Sequence, residues 1–92
     1  MSELRAGPVV SGRVYVVDEV AGRAPRELED FTGETTFRVS HGPHVHEVVG
    51  VGRVLDGAVR VHEKAGGPGG KDVRVWQVRR TERGFEAEHA GR

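Results

Sequence analysis

Apolar residues in this chain alternate with polar ones over most of its length, and that rhythm restricts the fold more than any other feature. A period of two puts successive side chains on opposite faces of an extended strand. Val9-Val10-Ser11-Gly12-Arg13-Val14-Tyr15-Val16-Val17 reads as a first strand, opened by Pro8. Residues 35–40 (TTFRVS) form a second and residues 45–55 a long, valine-rich third. Asp56-Gly57 is a strong two-residue hairpin signal. It leads into a fourth strand over 58–64. Residues 72–80 (DVRVWQVRR) form a fifth, and Phe85 to Glu88 a short sixth.

One short helix is expected after the first strand. Ala24-Pro25-Arg26-Glu27-Leu28-Glu29-Asp30-Phe31 has a proline near its start, acids in its first turns and Gly33 beyond its end. The expected fold is therefore all-β: a small antiparallel barrel or sandwich of five to six strands plus that helix. The 92 residues make one domain, with residues 1–7 and 87–92 expected to be loose ends. If the sheet stays open, its free edge is an expected oligomer contact.

The Asp56-Gly57 turn also fixes a register. Leu55 falls opposite Ala58 and Val54 opposite Val59. One face then carries Val48, Gly50, Gly52 and Val54 with Val59, Val61 and Glu63, and it is the candidate core face. Two glycines inside a strand suggest a bend or the close approach of another segment. Trp76 is a candidate for the largest piece of the core, joined by Phe31, Phe37 and Phe85.

Charge excludes some functions. Acidic and basic residues balance at 14 each. No global field draws the chain to nucleic acid or to an anionic membrane. Of the basic residues only Lys64 and Lys71 are lysine, a bias that fits a G+C-rich, bacterial-type genome. With no cysteine there are no disulfides, zinc–thiolate sites or thiol nucleophiles. No stretch has the roughly 18 apolar residues of a membrane span. The N-terminal segment lacks an apolar signal core, so a cytoplasmic location is expected.

The densest chemistry is Ser40-His41-Gly42-Pro43-His44-Val45-His46-Glu47. His44 and His46 share one strand face, and His41, in the turn before them, could fold back as a third ligand for one divalent transition metal. The His44-Val45-His46 spacing resembles the H-x-H element of cupin barrels. Gly50 and Val51 stand where the family's carboxylate would follow, so the chain is not assigned to it. In the hairpin register Glu63 lies four residues from His46, about 13 Å at about 3.3 Å per residue, which is beyond shared coordination. Clustered histidines also predict a change in stability or assembly between about pH 5 and 7.

Two other segments invite a function. Trp76 with Arg74 and Arg80 on one face of the fifth strand is a candidate binding surface, for protein or for single-stranded nucleic acid. Gly66-Gly67-Pro68-Gly69-Gly70-Lys71 looks like a phosphate loop, but Asp72 replaces the required Ser or Thr and a strand follows instead of a helix. It reads as a turn. No nucleophile–base set is complete. The sequence thus points to a non-catalytic protein-binding or assembly module that needs no cofactor and acts on a protein partner or by self-association. The alternatives are a metal-binding barrel, which could be an enzyme, and a nucleic-acid-binding barrel.

Overall fold

The computed structural model describes residues 13–67 and 69–90. Six strands run β1 (Val14–Val20), β2 (Gly33–His41), β3 (His44–Leu55), β4 (Ala58–Lys64), β5 (Asp72–Arg80) and β6 (Phe85–Ala90). Each pairs antiparallel with the next, and β6 pairs back onto β1, so the sheet closes into a barrel. The open-sheet edge is thereby removed along most of the structure.

The turns follow local chemistry. Asp56 and Gly57 both take positive φ, 55° and 79°, as a type I′ hairpin turn requires. The resulting ladder sets Leu55 against Ala58, Val54 against Val59 and Gly50 against Glu63. Two β3 glycines mark close approaches of other backbone segments. A Cβ on Gly50 would run into the His62 backbone of β4, and one on Gly52 into the Phe31 carbonyl oxygen. Only glycine permits so close an approach.

The core is the barrel interior: Tyr15, Val17 and Val20 from β1, Phe37 and Val39 from β2, Val48 from β3, Val59 and Val61 from β4, Trp76 and Val78 from β5, and Phe85 and Ala87 from β6. The expected helix is reduced to one 3-10 turn, Leu28–Phe31. That turn closes one barrel end. Phe31 is fully buried and meets Phe37 edge-on at 5.3 Å and Phe85 at 5.4 Å between ring centroids. Asp30 holds the turn in place by accepting bonds from the backbone N–H groups of Arg26 and Glu27 and from the Arg23 guanidinium.

Two expectations change at the termini. Residues 9–12 of the first expected strand lie outside the described residues, and β1 continues to Val20 instead of stopping at Val17. Residues 87–90, expected in a loose tail, belong to β6, and Ala87 is part of the core. Alternation simply continues through Phe85, Ala87 and His89.

Candidate functional site

The barrel's second end is polar. It gathers the start of β1, the end of β2, the start of β3, the end of β4, the start of β5 and the end of β6. At its centre is Glu63, whose carboxylate is largely buried. Trp76 Nε1 donates to Glu63 Oε1 at 2.9 Å, and His46 Nε2 donates to Oε2 at 2.9 Å. Arg74 adds a longer ionic contact at 3.9 Å and lies 6.0 Å from the Trp76 ring. The indole is flanked by imidazoles: His46 stacks at 5.8 Å and His89 meets it edge-on at 5.0 Å. Tyr15 packs against Trp76, His41 and His89.

The His46–Glu63 contact corrects the flat-ladder distance of about 13 Å. Three causes combine. The strands close into a barrel, a bulge interrupts the β4–β5 ladder between Glu63 and Lys64, and two long side chains bridge the remaining gap. Glu63 was visible from sequence as a carboxylate on the core face, but its partners were not. His89 was missed altogether. Its Nδ1 is buried with no hydrogen-bond partner among the described residues. Burial first, then the nearby Arg74, Arg13 and His46 charges, lowers its pKa below the ordinary 6.5, while Glu63 opposes that.

The sequence-predicted metal ligands do not converge. His41 donates Nδ1–H to the Val14 carbonyl at 2.9 Å. His44 is exposed beside it across the β2–β3 turn. His46 is held by Glu63, and His62 lies on the outer wall, 3.3 Å from Asp72. Among the described residues no three His, Asp or Glu side chains are grouped to hold a metal ion.

The predicted binding surface is also redistributed. Trp76 is 0% exposed. It is core, because the interior of so small a barrel needs its largest side chain, and it presents no stacking face to solvent. Arg74 covers its edge. Arg80 lies at the other end, 4.9 Å over Phe85, and donates to the Arg26 carbonyl at 3.0 Å. It fastens the 3-10 turn to β5.

A different surface stands out. β2 pairs with β3 only as far as Gly33 opposite Gly52. Beyond that point Arg53, Val54 and Leu55 have β4 on one side and no described strand on the other. β3 therefore overruns β2 by three residues, an arm backed only by β4, whose Val59 stays buried and pairs with Val78 of β5. Val54 was expected in the core but is 51% exposed, and Leu55 is 46% exposed. Among the described residues no strand continues β2 alongside Val54, which leaves its side chain half exposed. Arg53 stands directly opposite Arg60, an unfavourable like-charge neighbour.

No helix among the described residues is long and apolar enough to cross a membrane. Compared with protein-family models, curated proteins and solved structures, the chain matches none.

Proposed function

We propose that this barrel is a protein-binding or assembly module whose contact surface is the β3–β4 arm. The supporting observation is the overhang: Val54 and Leu55 expose apolar side chains on its opposite faces, beside an unpaired strand flank. Exposed strand flanks with apolar side chains are the usual seat of strand-to-strand docking. Arginines next to exposed aliphatic groups match the composition of interface centres. Trp76 is buried, and Arg74, Arg80, His41 and His46 each hold a contact within the chain.

The test is site-specific photo-crosslinking in the native host. A photoreactive amino acid at Leu55 is expected to give a discrete protein adduct, whereas the same group at Val16 or Val73, which are equally exposed elsewhere, gives none. Adducts of equal yield at all three positions, or none at Leu55, would remove the reading.

A further inference from the structure

We infer that the arm's partner is a second copy of this chain, paired antiparallel along the free flank of β3 with Val54 on the two-fold axis. The inference rests on the docking role of the arm and adds its occupant.

The backbone directions follow from the turn. In a two-residue type I′ hairpin the flanking pair, Leu55 and Ala58, exchanges hydrogen bonds, because the turn itself closes on the Leu55 carbonyl and the Ala58 N–H. Antiparallel ladders alternate bonded and non-bonded pairs. Val54 and Val59 are thus a non-bonded pair, and the N–H and C=O of Val54 point away from β4, toward the flank that no described strand occupies. One residue there presents both a donor and an acceptor in the plane of the sheet. A two-fold axis at Val54 satisfies both: each copy's Val54 donates to and accepts from the other.

Side chains and charge agree with that arrangement. In this register Arg53 falls opposite Leu55 of the second copy, not opposite its Arg53, so the guanidinium stems lie along leucine and the charges are kept apart. Asp56 of the second copy follows directly after the paired residues and brings a carboxylate toward the Arg53–Arg60 pair. The chain's formal charge is zero, so two copies do not repel one another as whole molecules. β2 occupies the same flank from Gly52 onward, which limits the overlap to residues 53–55 of each chain. So small a contact makes a weak, concentration-dependent dimer.

The absence of cysteine makes the register directly measurable. Single-cysteine variants Arg53→Cys, Val54→Cys, Leu55→Cys and, as control, Val73→Cys are oxidised under mild conditions in the full-length protein. All four sites are exposed, so folding is not at risk and is checked by the melting curve. Val54→Cys is expected to form a disulfide dimer at least tenfold faster than Val73→Cys. Arg53→Cys and Leu55→Cys are expected to be slow alone and fast when mixed, giving the heterodimer. A Val54→Cys rate equal to the control, or equal rates at all four sites, overturns the pairing. If that happens while the Leu55 photo-crosslink still yields a different protein, the arm remains a docking surface and only its occupant was wrong. If both fail, the docking role fails with it.

Discussion

The two ends of the barrel are built from opposite materials. One is stoppered by aromatic rings, with Phe31 at the centre and Phe37 and Phe85 around it, and from it the arm projects. The other ends in a carboxylate shared between an indole and an imidazole, with a half-buried histidine beside it. The apolar end derives stability from shape and area. The polar end derives it from satisfied hydrogen bonds, which fail differently and respond to pH. The difference separates an end held by packed rings from an end held by hydrogen bonds to one buried carboxylate.

The largest break in that comparison comes from removing the stopper. Phe31→Ala leaves a cavity between Phe37 and Phe85 and is expected to cost about 3–5 kcal/mol, read by urea denaturation. A loss below about 1 kcal/mol would mean that the 3-10 turn merely rests on the barrel. At the polar end, Glu63→Ala strips the acceptor from buried Trp76 and from His46, and about 1–3 kcal/mol is expected. Glu63→Gln keeps an oxygen for the indole and should lose less. If Gln and Ala are equally damaging, the charge matters more than the bond.

The ends should also titrate apart. His89 has a folded pKa below 6.5, so as pH falls the unfolded chain takes up the proton first. Stability is therefore full above about pH 6.5 and declines as pH drops below it toward the lowered folded value. At the stopper, hydrogen bonds from Arg23 and from the Arg26 and Glu27 backbone hold Asp30 down to about 2 from 3.8. Its contribution is present above about pH 4 and is lost only as pH falls from there toward 2. Melting temperature against pH should show two separate declines. His89→Gln should erase the upper one, and Asp30→Asn should shrink the lower, to which Asp72, lowered chiefly by its hydrogen bond from Lys64, also contributes. A single decline removed by neither substitution would contradict the assignment.

Much of this architecture was legible in the sequence because it is local. Asp56-Gly57 fixes the β3–β4 register, and the alternation of residues 58–64 and 72–80 gives both strands their observed limits. The two β3 glycines announced the close approach of other segments. What escaped was set by closure. Val54 has the parity of a core residue and is exposed because a neighbouring strand stops early. Trp76, Arg74 and Arg80 share one face of a flat strand, yet the barrel buries the first and sends the two arginines to opposite ends. His46 and Glu63 meet only because the wall is curved. His89 sits where a six-residue stretch was too short to be separated from a tail. The smallest expected effect on stability, within about 0.5 kcal/mol, is that of Leu55→Lys on the exposed arm.

That substitution supplies the most direct test of the central claim. Sedimentation velocity of the wild type and of Leu55→Lys, which sets a like charge opposite Arg53 of the second copy, over a hundredfold range of concentration at neutral pH, separates folding from contact. The wild type is expected to move from monomer toward dimer mass as concentration rises, while Leu55→Lys stays monomeric with a nearly unchanged melting temperature. A wild type that remains monomeric throughout, or two proteins that associate alike, would contradict it.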